Sequence, residues 1–434
     1  MLLTDLQIAA RNLTQHTKRN AFLGAAISAV TALLVLLNGL TNGMHGTMLE
    51  SATTLMTGHV NVGGYYKITT SQVAPFLVDY EKVIPIVKTV PGVDYVSPRG
   101  RGYAKAVSPE GSMDLILGGI DVAREPGLRR VLVLESGNLS DLDRPNTILL
   151  FADQARRLKV TVGDDLTLSA PTGRGINNTA DVRVGAIARN IGLLSSWIAF
   201  IPNSTLLELY QIKPGTTGAV HVYLKDPTTA AAVAATLRGK LADAGYKVLD
   251  ADPSPYFEKL INKLNRQDWT GQRVDVSTWE DEMSFMSWIL KAFGALSGLL
   301  VAILMVIVVI GIMNTLWIAI RERTREIGTM RAIGMQRRRV AWLFLLEAGL
   351  LGLLATVSGA LAGGAIAAGV SALHLEVPEG VQMFLMSRTL SLSVDIGEIL
   401  KDVVVVTLAT TLAALFPALR ASRLAPVTAM QHFG

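Results

Sequence analysis

The chain has 434 residues, half of them hydrophobic and only 17% charged, with positive mean hydropathy. That balance excludes a disordered chain and disfavours an ordinary soluble enzyme. The excess of base over acid, +5, lies largely in one loop, so it reads as membrane topology rather than nucleic-acid binding. Cysteine is absent, which removes thiol chemistry and cysteine-based zinc sites.

Residues 1–20 place Leu2, Leu6, Ala9 and Leu13 at helical spacing beside Arg11 and Gln15. The pattern suits an amphipathic helix along the inner leaflet, or equally a plain extension of the span that follows. Residues 21–43 are the first stretch apolar and long enough for a bilayer core of about 30 Å. Arg11, Lys18 and Arg19 precede it as in a signal peptide, but no A-x-A cleavage site follows, and it reads as a retained anchor. Three further spans are expected over residues 293–320, 340–370 and 403–419. The segment 371–402 holds five acids (Glu376, Glu379, Asp395, Glu398, Asp402) against two bases, whereas Arg420 and Arg423 follow the last span in the tail, residues 420–434. Basic residues mark the cytoplasmic side. The expected topology is therefore 1+3, with both termini inside and residues 44–277 outside.

The external region is soluble in character. Strands are expected at His59–Val62, Val93–Ser97, Tyr103–Val107, Leu115–Gly118, Val182–Ala188 and Val220–Leu224, and helices at Tyr80–Val90, Thr229–Ala244 and Tyr256–Arg266. Two helix-and-strand units flank a strand-rich middle, which predicts an α+β domain with an inserted β subdomain at about residues 121–217. Ser277 to Glu280 fits a capping box opening a stalk over residues 278–292. With no proline before Ile320, one helix from Thr278 to Ile320 would be roughly 64 Å long, at about 1.5 Å per residue, and could transmit a push.

Between the second and third spans, residues 321–339 read RERTREIGTMRAIGMQRRR, with seven arginines and two acids, Glu322 and Glu326. Thr324 to Ile333 can form a short helix with Ile327, Met330 and Ile333 on one side, and Gly334 stands where a left-handed C-cap is wanted. A charged helix with a narrow apolar stripe at the cytoplasmic face suits docking onto a soluble partner. A positive-inside loop of any polytopic protein explains the arginines, but not the ordered REIG-x-x-R-A-I-G pattern.

The run Asn314 to Met335, NTLWIAIRERTREIGTMRAIGM, followed by an apolar helix bearing Glu and Gly, resembles the FtsX/MacB/LolC-LolE permease family. The resemblance implies the membrane subunit of a type VII ABC transporter, and it implies that Arg323, Thr324, Arg325, Glu326, Ile327, Gly328, Met330, Arg331, Ile333 and Gly334 are gripped by the ATPase. It also implies two ATPase copies, a second permease copy (identical or different), and a periplasmic carrier or adaptor. ATP and Mg would be bound by the ATPase, with none held by this chain, and the whole would lie in a bacterial inner membrane. The segment from Asn38 to Val62, with its N-G…G-H-V run, is most similar to the lipoprotein-releasing branch. Efflux of drugs, peptides or siderophores as by MacB, and signalling to a cell-wall hydrolase as by FtsX, are the alternatives. A stand-alone receptor or adhesin leaves the loop motif unexplained.

Other candidates have bland explanations beside them. No G-x-x-x-x-G-K-[ST], H-E-x-x-H or G-x-S-x-G occurs, and His16, His45, His59, His221, His374 and His432 lack ligand spacing, so catalytic and metal sites are not expected. The acid pairs Asp141/Asp143 and Asp164/Asp165 read as solvated turns. Glu347, about two turns into the third span, is expected to have a structural or coupling role, paired with Arg338 or Arg339, rather than to relay protons. Gly24, Ser28, Gly359 and Gly363 suit close helix packing, within the chain or across a dimer seam. Among the stalk residues Ser277, Glu280, Phe285 and Trp288, the two aromatics read as interfacial anchors before cargo contacts.

Overall fold

The computed structural model describes residues 2–15, 17–69, 72–172, 176–378, 381–382 and 389–423. His16, Glu379, His432 and the tail beyond Arg423 lie outside the described residues. The described residues fall into two compact units, one within Met1–His45, Leu290–Glu376 and Thr389–Gly434, the other within Gly46–Ile289 and Val377–Arg388.

The first unit is helical. It contains α1 (Leu2–Gln15), most of α2 (Thr17–Ala52) and of α10 (Ser284–Glu322), then α11 (Thr324–Ala332), α12 (Arg337–Ala372) and α13 (Ile396–Ser422). Among the described residues, four helices are long and apolar enough to cross a membrane: Asn20–Thr57, Ser284–Glu322, Arg337–Ala372 and Ile396–Ser422. Their mutual packing relies on small residues. A Cβ on Gly359 would lie 2.3 Å from the Ser28 carbonyl oxygen, and one on Gly363 would lie 2.9 Å from that of Ala32. The Ser28 hydroxyl donates to the Ala355 carbonyl at 2.7 Å, and Gly24 faces Leu351 and Ala355. These four sequence-selected positions therefore meet in one seam between α2 and α12. On α1 Asp5 and Ala9 are buried, Leu13 is half-buried and Leu6 is exposed, so the expected apolar positions are divided between the packed side and the outside. Asp5 is paired on the packed side with Arg339 of α12 at 2.9 Å.

The second unit is α+β. Its strands are β1 (Val60–Thr69), β2 (Gln72–Ala74), β3 (Leu77–Val78), β4 (Val93–Val107), β5 (Ser112–Ile120), β6 (Leu134–Gly137), β7 (Thr147–Phe151), β8 (Asp165–Pro171), β9 (Asn177–Ala188), β10 (Ile198–Pro202), β11 (Thr216–Thr217), β12 (Ala219–Leu224) and β13 (Gly271–Thr278). Its helices are α3 (Tyr80–Lys88), α4 (Pro126–Val131), α5 (Ala152–Leu158), α6 (Asn203–Tyr210), α7 (Ala230–Asp243), α8 (Tyr256–Glu258) and α9 (Trp279–Glu282). Among the described residues the main sheet runs β13-β1-β12-β4-β5-β10-β7-β9-β6, with β2 beside β1 and β8 beside β4 and β9. The core under α5 and α6 is built from Leu115, Leu117, Ile148, Leu150, Val184 and Leu206.

Three expectations need correction. Val93–Ser97 and Tyr103–Val107 are one strand, β4, whose first half pairs with β12 and whose second half pairs with β5. The glycines between them are required by close packing, since a Cβ on Gly102 would meet the Tyr210 ring at 2.8 Å. The β5 hairpin partner follows a turn closed by the Ser108 N–H donating to the Gly111 carbonyl at 2.8 Å. The helix expected over Tyr256–Arg266 is α8 followed by a π turn, Lys259–Lys263, and a 3-10 turn; Lys259 is drawn into a buried pair with Asp275 at 2.8 Å.

The third correction concerns the rod. The capping box is Thr278 with Asp281, not Ser277 with Glu280, because the Ser277 hydroxyl is turned to Glu282, to which it donates at 2.6 Å. The short α9 then ends at Met283 (φ −114°, ψ 42°), and a new helix, α10, starts at Ser284. The continuous helix has 39 residues, about 58 Å at 1.5 Å per residue, and does not begin at Thr278.

Candidate functional site

The arginine loop folds as α11 between two turns. Arg323 stands at its N-terminal boundary, Ile333 closes it, and Gly334 takes the left-handed conformation (φ +99°) that only glycine adopts freely. The helix is held down by its inner face. Ile327 is 1% exposed and packs with Ile320, Val340, Phe344, Ala418 and Ala421, and Met330 is half-buried against them. Ile333, expected on the same stripe, is 82% exposed, because the helix ends one residue earlier and the chain turns at Gly334. Arg325, Glu326 and Thr329 also face outward. The outer surface is therefore one large apolar side chain set among charges.

Arg323 is the anchor of this arrangement. Its Nη1 donates to Glu347 of α12 at 3.1 Å, and its Nε donates to Glu326 at 3.0 Å. Its guanidinium lies 5.9 Å from the Phe344 ring centroid. Arg323 and Glu347 are 9% and 8% exposed, so the pair is desolvated and gains strength from the low local dielectric. The partner expected for Glu347, Arg338 or Arg339, is not the one found, since Arg338 is exposed and Arg339 serves Asp5. The linear sequence hid the pair because 24 residues separate its members. Beside Glu347 lies a cavity of about 30 Å³, also lined by Asn20, Thr315 and Thr410, with room for about one water. Arg331 is committed locally, with Nη1 donating to the Met335 carbonyl at 2.9 Å. Thr324 caps the preceding helix through the carbonyls of Ile320 and Arg321, and Gly328 is buried on the inner face of α11.

The stalk residues divide. Ser277 is buried, Glu280 is exposed, and Phe285 and Trp288 are exposed at 58% and 66%. Asp141 and Asp143 lie in the 3-10 turn Leu139–Asp143 and Asp164 accepts from the N–H and hydroxyl of Thr161, whereas Asp165 opens β8 and pairs across the ladder with Arg183 at 3.2 Å.

The family model described as MacB-like periplasmic core domain matches residues 23–240, half of the chain, and that described as FtsX-like permease C-terminal matches residues 298–426. The chain belongs to the FtsX/MacB permease family. The C-terminal match takes in Arg323, α11 and Glu347, so the anchored loop lies inside the permease part of the family. A macrolide export ATP-binding/permease protein MacB of Bordetella avium is 27% identical over 356 residues, 79% of this chain and 49% of that protein. A probable export ATP-binding/permease protein of Pseudomonas fluorescens is 29% identical over 184 residues, 42% of this chain and 26% of its own length. The uncharacterized ABC transporter permease YvrN of Bacillus subtilis is 30% identical over 142 residues, 33% of this chain and 31% of that one. The chain thus spans about half, or less, of the curated relatives it matches. Among solved structures, the extracellular domain of the transporter YknZ from Gram-positive bacteria covers 43% of this chain and 94% of that chain at 17% identity and a TM-score of 0.30. The periplasmic region of MacB from Actinobacillus actinomycetemcomitans covers 43% and 85% at 16% identity and a TM-score of 0.30.

Proposed function

We propose that this FtsX/MacB permease couples ATP hydrolysis by a partner ATPase to movement of an extracytoplasmic domain. In this reading the protein is a multi-pass subunit of a bacterial inner membrane, in the 1+3 topology, with both termini and residues 321–339 in the cytoplasm. Two ATPases, which bind the ATP and Mg, embrace two permease copies. The observation that carries the reading is the buried Arg323–Glu347 pair, which ties the docking helix α11 to the apolar helix α12 while Ile333 and Arg325 face outward. A partner that moves α11 must then move α12 with it. The 39-residue α10, joined to α11 through Arg323, carries the displacement outward.

The cargo is taken to be outside the cytoplasm already. Lipid-anchored cargo rested on the N-G…G-H-V run, but its residues have structural work in this chain. Asn38 and Asn42 bond Asp402 and Glu398, and His59 accepts the Leu224 N–H at 2.8 Å. That weakens the lipoprotein reading. Efflux of small molecules through an adaptor, in line with the macrolide exporters among its relatives, is the second reading.

Two substitutions test the core of the proposal. Arg325→Glu with Ile333→Ser should abolish co-purification with the ATPase while membrane insertion persists. Ala292→Pro, which breaks α10 at a cost of about 3 kcal/mol or more, should spare docking but abolish cargo movement. Full cargo movement by an assembled Ala292→Pro protein would make α10 a passive tether.

A further inference from the structure

Strand β4 presents two arginines, Arg99 and Arg101, on one face, because alternate residues of a strand point the same way. Arg99 is fully buried. Its Nε and Nη2 donate to the two oxygens of Glu125 at 2.9 and 2.6 Å, and its Nη1 donates to the carbonyls of Thr54 and Leu55 at 2.8 and 2.9 Å. Those carbonyls belong to the π turn Thr53–Thr57 that ends α2. The third carbonyl there, Thr53, accepts from the Tyr223 hydroxyl at 3.2 Å and from the Gly58 N–H at 2.6 Å. Gly58 has φ +66°, and a Cβ on it would come within 2.9 Å of the His221 Cβ. The end of α2 is thus riveted to the sheet through carbonyls that a π turn directs sideways.

Two residues along, Arg101 serves the other helix. Its Nη2 donates to Asn61 at 3.1 Å and lies 4.0 Å from Glu282, and its guanidinium lies 4.4 Å from the Tyr256 ring centroid. Glu282 ends α9 immediately before α10, and it also accepts from the Ser277 hydroxyl and the Tyr256 N–H. Two residues before Arg99, Ser97 belongs to a row of register mates, Ser277, Asn61, His221 and Ser97, on β13, β1, β12 and β4. All four are buried, and among the described residues Asn61 Nδ2, both ring nitrogens of His221 and Ser97 Oγ find no partner. Backbone ladders hold these strands together, and Val60 of β1 pairs with Thr278 of β13, but the unpartnered side chains add desolvation cost without return. The guanidiniums add side-chain ties from this layer to the two helix ends.

We propose that Arg99 and Arg101 are positioning residues that bracket the roots of α2 and α10, holding them at a fixed spacing on the outer domain so that both helices deliver one motion to the sheet. This rests on the force-transmitting reading above. Removing Arg99 alone would strand a buried carboxylate, whereas replacing both partners by apolar residues of similar size is often tolerated. Arg99→Met with Glu125→Leu, and separately Arg101→Met, are therefore placed in the full chain assembled with its ATPase. Spin labels at Glu50→Cys and Ser284→Cys, both exposed in this cysteine-free chain, report the spacing of the roots. In the parent protein one narrow distance distribution should persist with and without ATP. In the variants it should broaden and become nucleotide-dependent, with cargo movement falling at least tenfold and ATPase binding unchanged. Variants that keep the narrow distribution and full activity overturn the bracket, as does a parent spacing that changes with ATP. Should the double variant fail to fold, Arg101→Met decides alone. Failure of the underlying reading shows separately, as an active Ala292→Pro protein.

Discussion

Removal of the Arg323 side chain gives the sharpest test of how the loop is anchored. In Arg323→Met the Glu347 carboxylate would remain buried among apolar neighbours with its ion-pair partner gone. Loss of one member of a buried pair costs about 3–5 kcal/mol. Glu326, by contrast, has a side chain 63% exposed, so Glu326→Gln should cost no more than about 1 kcal/mol. The informative variant is Arg323→Met with Glu347→Met. It removes both charges at once and should be close to neutral for stability, because the desolvation penalty disappears together with the attraction. It also cuts the only ion pair between the loop and α12 that involves Glu347 among the described residues. Thermal denaturation of the detergent-solubilised permease ranks stability, and stimulation of the reconstituted ATPase by the permease measures coupling. The expected pattern is an unstable single variant, a silent Glu326→Gln, and a stable but uncoupled double variant. A double variant that couples normally would show that the pair is structural, and an Arg323→Met protein as stable as its parent would refute the burial argument itself.

Other outcomes follow from the same structure. Gly359→Ala forces a methyl against the Ser28 backbone and should cost about 1–3 kcal/mol in detergent unfolding, whereas Gly298→Ala, with nothing within 4 Å, should be neutral or gain up to about 1 kcal/mol of helix propensity. Burial first, and then the cations Arg99 and Arg101, hold the His221 imidazole well below its ordinary 6.5. The unfolded chain therefore binds a proton below about pH 6.5 that the folded chain refuses, and stability falls on acidification by about 1.4 kcal/mol per pH unit for one proton. His59, lowered mainly by burial, adds the same sign; Asp275, raised mainly by burial, opposes it above the ordinary carboxylate range, where the folded state holds the extra proton. His221→Gln should flatten the slope between about pH 5 and 6.5 by one proton; an unchanged slope would place the titration elsewhere. For topology, a cysteine at Asn178 or Gly215 should react with an impermeant thiol reagent in intact spheroplasts, and one at Gln336 only after lysis.

Much of this was legible in the sequence where physical signals are local. Span lengths follow from apolar runs, and α11 follows from the spacing of Ile327 and Met330 and from Gly334 at its end. The strand positions at Leu115, Val182 and Val220 follow from β-branched alternation. What the sequence concealed depends on contacts between distant residues. The Gly100–Gly102 stretch reads as a break between strands until α6 is seen to lie against it. The capping box shifts by one residue because the Ser277 side chain is committed to Glu282. The grip of Arg99 on Thr54 and Leu55 joins residues 45 and 44 positions apart, and no periodicity announces it.

The long strand β4 has a consequence for how this domain can be divided. Its residues up to Arg99 bond to β12 and those from Gly100 bond to β5, so a single backbone serves as the edge of both halves of the sheet. The β subdomain therefore cannot be excised at residue 121 without stripping β5 of β10 and β4 of β8, which leaves open strand edges that invite pairing with other chains. A separable piece would have to begin near Gly100, in the middle of a strand, where no loop offers a joint. Chimeras that exchange this part between relatives should hold together only when β4 and β5 travel with it, which makes the hairpin, rather than the loops around it, the true unit of inheritance.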